Sequence, residues 1–236
     1  MAIKAILFDL DGTLLPMDQN EFLKGYFGLL TKKMVKCGYD ADTFMKALLT
    51  GTDAMVKNDG SKSNEALFWE KFGAFYTADT LPPISLFDEF YNTEFPKTEA
   101  FCGKDARPRK IVDAVKSKGL LCELATAPAF PAIATETRMG YVGLCPSDFL
   151  LYTTYENSTY CKPNPDYYRE VLQKIGCTPE ECLMVGNDVT DDIIPATEVG
   201  MQAFLLTEFL INKIDADISV YPNGNYDDLL SFIENL

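Results

Sequence analysis

The chain has 236 residues, 47% of them hydrophobic and 24% charged, which fits a folded globular protein and excludes a largely disordered one. It carries 21 Lys and Arg against 35 Asp and Glu, a formal net charge of −14, so its surface repels nucleic-acid backbones and anionic membranes, and neither is expected as a partner. Histidine is absent, which excludes Ser-His-Asp and Cys-His catalysis and His-ligated zinc and leaves carboxylates, lysines, hydroxyls, thiols or an oxygen-bound metal. No window approaches the roughly 18–20 uncharged apolar residues of a membrane span. The run from Ile3 to Phe8 is short and meets Asp9 and Asp11, so no secretory leader is expected. The seven cysteines (Cys37, Cys102, Cys122, Cys145, Cys161, Cys177, Cys182) are irregularly spaced without a C-x-x-C pair, and are expected to be reduced thiols of a cytoplasmic protein.

Residues 3–8 form an apolar run stopped by Asp9-Leu10-Asp11-Gly12, the pattern of a buried parallel strand ending in a turn. From 16 to 100 the apolar residues recur at helical spacing. Phe22, Tyr26, Leu30 and Met34 mark one helix, Phe44, Ala47 and Leu48 a second, and Leu67, Phe68, Phe72 and Phe75 a third. Leu86–Phe95 marks a fourth, and the polar loop Lys57–Ser63 separates the second from the third. The aromatics of this stretch are expected to form its own core. From about 105 helix and strand alternate. Helices are expected after Pro108, over 129–140, over Pro165–Ile175 with Gly176 as stop, and over Ile193–Val199. Strands are expected at Leu120–Thr126, Phe149–Tyr152, Cys182–Gly186 and Ala203–Leu206, and Thr178–Glu181 reads as a capping box. The alternation argues a Rossmann-like α/β fold, three layers around a parallel sheet, formed by residues 1–15 and 101–236. An all-helical module of four helices, 16–100, is inserted after the first strand.

In open parallel sheets ligands lie beyond the carboxyl ends of the strands. The polar residues gather there. Asp9, Asp11, Gly12 and Thr13 follow the first strand, and Thr126 follows the second. Lys162 precedes a helix, and Asn187, Asp188, Asp191 and Asp192 follow the strand at 182. Packing does not explain that distribution.

Phe8-Asp9-Leu10-Asp11-Gly12-Thr13-Leu14 resembles the first motif of the haloacid dehalogenase-like hydrolase superfamily, in its phosphoglycolate phosphatase and β-phosphoglucomutase-like branch. Leu124-Ala125-Thr126, Lys162-Pro163 and Gly186-Asn187-Asp188-Val189-Thr190-Asp191-Asp192 resemble the other three motifs, in the family's order. The resemblance implies that the helical insert is a cap closing over the substrate. It also implies a Mg²⁺-dependent phosphatase of a small phosphorylated metabolite. Asp9 is then the nucleophile and Asp11 the general acid/base; an Asp at that place favours phosphoester over dehalogenase chemistry. Mg²⁺ is expected on Asp9, Asp188 and the Asp11 carbonyl, with Asn187 and Asp192 as further candidates, because an oxygen-bound cation offsets the repulsion between carboxylate and phosphate. Gly12, Thr126, Ala127 and Lys162 are expected at the phosphoryl group, and Lys57 and Asn58 at the leaving group. Two departures stand out: Asn187 occupies a place that usually carries Asp, and Ala127 one that often carries Asn. A phosphomutase and a non-catalytic module with the same fold are the alternatives, and a monomer is the default.

Overall fold

The structure is a computed structural model that describes residues 2–236. Its centre is a five-stranded parallel sheet of β1 (Ala5–Phe8), β2 (Leu121–Leu124), β3 (Cys182–Gly186), β4 (Gln202–Leu206) and β5 (Asn223–Gly224), in the order β2-β1-β3-β4-β5. β1 and β3 are buried along their whole length, as their unbroken apolar sequences require. Their side chains alternate between two layers. Ile6, Phe8, Leu183 and Val185 face one core with α5 (Arg107–Ser117) and α9 (Tyr226–Glu234). Ala5, Leu7, Cys182 and Met184 face another, under Tyr167, Tyr168, Val171 and Leu172 of α7 (Pro165–Ile175) and Ala196 of α8 (Ile194–Glu198). The order reverses between β1 and β3: the chain runs outward from β1 to β2, then returns to β1's other side. That switch point opens a crevice at the carboxyl ends of β1 and β3.

The helical insert consists of α1 (Gln19–Lys36), α2 (Ala41–Val56), α3 (Asn64–Gly73) and α4 (Ile84–Thr93), then a 3₁₀ turn over Phe95–Phe101. Asp18, Asp40 and Ser63 cap the first three by accepting main-chain N–H groups. Phe44, Phe68, Phe72 and Phe87 interlock between them, with Phe72 and Phe87 edge to face at 5.6 Å. The chain leaves the sheet layers at Pro16 and returns at Gly103, whose N–H donates to the Pro16 carbonyl at 2.6 Å.

One expectation is corrected and two gain detail. Residues 149–152 form no strand; the segment 150–153 runs beside β2 through three main-chain hydrogen bonds and one bridge, Leu124–Tyr152. The expected helix at 193 is preceded by a π turn over Val189–Ile193. The capping box at Thr178 closes a single 3₁₀ turn, Pro179–Glu181.

Glu123 of β2 is fully buried, with Oε2 accepting the Leu151 N–H at 2.6 Å and Oε1 unpartnered. Burial pushes its pKa up to about 7, against the pull of that hydrogen bond. A raised carboxyl stabilises the fold below its ordinary pKa and loses that contribution as pH rises through the folded value. Between about pH 4.5 and pH 7 the loss should approach roughly 3 kcal/mol. Denaturant midpoints measured across that window should fall in the wild type and flatten in Glu123→Gln.

Candidate active site

The turn after β1 builds the first wall. The Leu10 carbonyl accepts N–H bonds from both Thr13 and Leu15, and Gly12 takes φ +84°. A Cβ at Gly12 would lie 2.5 Å from Asn187 Nδ2, so this place needs glycine on both counts. Thr13 Oγ1 donates to Asn187 Oδ1 at 2.9 Å, and Asn187 Nδ2 donates to the Phe209 carbonyl at 2.7 Å. Asn187 is thus a clamp between the loops after β1, β3 and β4, its amide spent on protein partners. The Gly12 N–H is also spent, on the Leu15 carbonyl at 2.8 Å.

Lys162 lies just before α7, 3% exposed, with Nζ 2.9 Å from Asp9 Oδ1 and 2.5 Å from Asp192 Oδ1. Burial works against its charge, but the Asp192 and Asp9 carboxylates outweigh it and hold the ammonium well above its ordinary pKa. Burial pushes Asp192 upward in turn. Both of its oxygens nonetheless act as acceptors, Oδ1 from Lys162 and Oδ2 from the N–H groups of Asn187 (3.1 Å) and Asp188 (3.0 Å), so the geometry uses the carboxylate form. Asp192 is therefore fully engaged within the protein. It positions Lys162 and the turn after β3. Gly186 makes room for it: a Cβ there would overlap the Asp192 carboxyl.

The oxygens that remain face differently. Asp9 and Asp188 are each 7% exposed. Asp9 Oδ2 receives no hydrogen bond among the described residues. Asp188 Oδ1 accepts from Thr190 and Asp191 N–H groups, while Oδ2 has only the distant Lys213 ammonium at 3.9 Å. The Asp11 carbonyl accepts no main-chain hydrogen bond among the described residues. Two carboxylate oxygens and one carbonyl are thus available at the switch point, a hard-oxygen donor set that fits Mg²⁺ completed by water or substrate. No cluster of three or more His, Cys, Asp or Glu side chains suited to a metal occurs among the described residues, so such an ion needs that main-chain oxygen.

Thr126 is 1% exposed, with its carbonyl held by Thr153 Oγ1 (2.6 Å) and Tyr167 Oη (2.9 Å) and its hydroxyl without a partner among the described residues. The N–H groups of Asp11 and Ala127 donate to nothing among the described residues. Unpaired donors of this kind can hold an anion.

The side chain of Asp11 carries a group that sequence reasoning missed. Arg138 of α6 (Ala132–Tyr141), 0% exposed, pairs through Nη1 with Asp11 Oδ2 and lies over the Phe130 ring, 4.3 Å from its centroid. The only sequence signal was a basic residue between the apolar Ala134 and Met139. Asp11 Oδ1 has no partner among the described residues. Burial raises the Asp11 pKa, Arg138 opposes the rise, and Asp9 adds to it.

Lys57 and Asn58 do not reach the site. Lys57 is exposed and paired with Asp53 at 2.8 Å. Asn58 is buried and donates to Asn64 Oδ1 at 2.8 Å; Asn64 in turn donates to the Pro128 and Tyr160 carbonyls, tying α3 to the sheet layers. Through Asn58 and Asn64 the polar loop fastens the insert to the sheet layers.

A family model described as "Hydrolase: haloacid dehalogenase-like hydrolase" matches residues 3–200. The chain belongs to the haloacid dehalogenase-like hydrolase family. Among curated proteins it is 45% identical to a glyceraldehyde 3-phosphate phosphatase of Methanothermobacter thermautotrophicus over 49 residues, 21% of this chain and 22% of that protein. It is 24% identical to the protein of the same name from Methanocaldococcus jannaschii over 238 residues, 99% and 98% of the two chains. The first curated relatives are matched over only about a quarter of their length. A solved haloacid dehalogenase-like phosphatase from Thermococcus onnurineus shares the fold, with TM-score 0.61, 18% identity and 98% of each chain covered. Among the described residues of this family member, no helix is long and apolar enough to cross a membrane.

Proposed function

We propose that this hydrolase is a Mg²⁺-dependent phosphatase of a small phosphomonoester, acting through an aspartyl-phosphate on Asp9. One observation carries the reading. Asp9, the free donors beside Thr126, the buried ammonium of Lys162 and the open oxygen of Asp188 come from four separate stretches of chain, and all lie at the β1/β3 switch point. The names of the archaeal relatives support the same class of substrate.

Asp9, Asp188 and the Asp11 carbonyl would hold Mg²⁺, which when bound supplies positive charge between nucleophile and phosphate. Lys162 and the N–H groups of Asp11 and Ala127 stabilise the phosphoryl oxygens as charge redistributes in the in-line transition state. The Asp9 carboxylate attacks phosphorus. The bond between phosphorus and the leaving oxygen breaks, and that oxygen takes a proton from Asp11 Oδ1. Water then attacks the aspartyl-phosphate and gives a proton back to Asp11, releasing inorganic phosphate and restoring Asp9. The raised pKa of Asp11 suits the donating step, and Arg138 suits the carboxylate form that accepts.

Phosphate release from p-nitrophenyl phosphate should appear with added Mg²⁺, vanish with chelator and return on replenishment. Equal turnover with and without the metal would overturn the metal assignment; no turnover under any condition would overturn the phosphatase.

A further inference from the structure

Beside Asp11, Lys162 and Asp191 lies a cavity of about 580 Å³ between the helical insert and the sheet layers. Its walls include Phe22, Leu23, Tyr26, Phe27, Leu48 and Trp69. These aromatics were expected to be internal packing of the insert; several also line this space. Three of the hydroxyls that line it are paired within the protein, and Gln19 adds an amide to the lining. The Tyr26 and Tyr91 hydroxyls bond each other at 3.0 Å, and Thr52 Oγ1 bonds the Leu48 carbonyl at 3.0 Å. Lys162 is the sole Lys or Arg in the lining among the described residues, and two carboxylates already hold it. Glu65, Asp88, Glu156 and Asp191 also line the space.

Resting on the phosphatase reading, we infer that the substrate is the phosphomonoester of an uncharged, apolar alcohol of ring or branched-chain size, and that a leaving group bearing a second anion is rejected. The volume suits a guest well above a triose in size. A polyol would strand its hydroxyls against aromatic faces with few donors to replace water. A carboxylate or second phosphate would meet acids with no free cation to pair it. Burying one ring at about 25 cal/mol per Å² accounts for a preference on the order of 100-fold.

The test compares kcat/KM for 2-phenylethyl phosphate, glycerol 3-phosphate and phosphoglycolate with Mg²⁺ present. The expected result is a preference for the first of about 100-fold over each of the others. Leu23→Arg, which places a cation in the apolar wall, should narrow the gap to phosphoglycolate by about 10-fold or more. Equal or better turnover of glycerol 3-phosphate or phosphoglycolate by the wild type overturns the inference while the phosphatase stands. If nothing is hydrolysed, the phosphatase reading fails instead, and calorimetry with 2-phenylethylphosphonate against phosphonoacetate decides the cavity. Tighter binding of the former upholds the apolar pocket, and equal or weaker binding overturns it.

Discussion

Asp9→Asn is expected to lower phosphate release by about four to six orders of magnitude, the range seen when a covalent nucleophile is removed. The amide keeps the shape of the carboxylate but neither attacks phosphorus nor offers the charge that a divalent cation needs. The fold should persist. Lys162 retains its 2.5 Å partner Asp192, and the main-chain bond from Asp9 N–H to the Val185 carbonyl is independent of the side chain. A thermal melt within a few degrees of wild type, together with the kinetic loss, is the expected pair of results. Residual activity within about tenfold of wild type would remove Asp9 from the nucleophile's role.

The second large effect falls on stability. Arg138→Met should destabilise the protein by roughly 3–5 kcal/mol, because it strands the Asp11 carboxylate in a site where burial already disfavours charge. The cation over Phe130 is lost as well. Adding Asp11→Asn should restore a large part of the loss, since an amide has no charge to strand; a coupling energy of about 2 kcal/mol or more is expected from the cycle. Denaturant midpoints of the two single variants and the double variant measure it. A single variant within about 1 kcal/mol of wild type would show that the pair is not held as the structure has it. Without Arg138 opposing it, the Asp11 pKa climbs further, so the base limb of the pH–rate profile should move to higher pH.

How much of this was legible in the sequence depends on the range of the interactions. β1, β3 and α7 were readable because local rules fix them: an unbroken apolar run, and a Pro165 start with Gly176 at φ +70° as stop. The insert's helices carried their own spacing. Residues 149–152 were read as a strand from apolar composition, but that segment pairs with β2 through one bridge, which no local pattern measures. β5 and α9 were not singled out; β5 is only Asn223–Gly224, and α9 is anchored by distant partners such as the Thr13 carbonyl bonded by Tyr226. At the site, the motif order brought Asp9, Thr126, Lys162 and Asp188 forward together. Asn187 and Asp192 were weighed as ligands because chemistry alone does not tell which oxygens other donors have already taken. Lys57 was plausible by charge until its partner Asp53, one helical turn away, was visible. Arg138 lies in chain far from Asp11 and belongs to no motif, so only the fold brings the two together.

The central claim is that a phosphoryl group passes through Asp9. Acid quench during turnover of a good substrate, followed by peptide mass analysis, tests it most directly. A phosphoryl adduct on the peptide carrying Asp9, absent from Asp9→Asn and cleared when substrate is exhausted, is the predicted result. Full turnover with no adduct at any time point, and with Asp9→Asn still active, would contradict it.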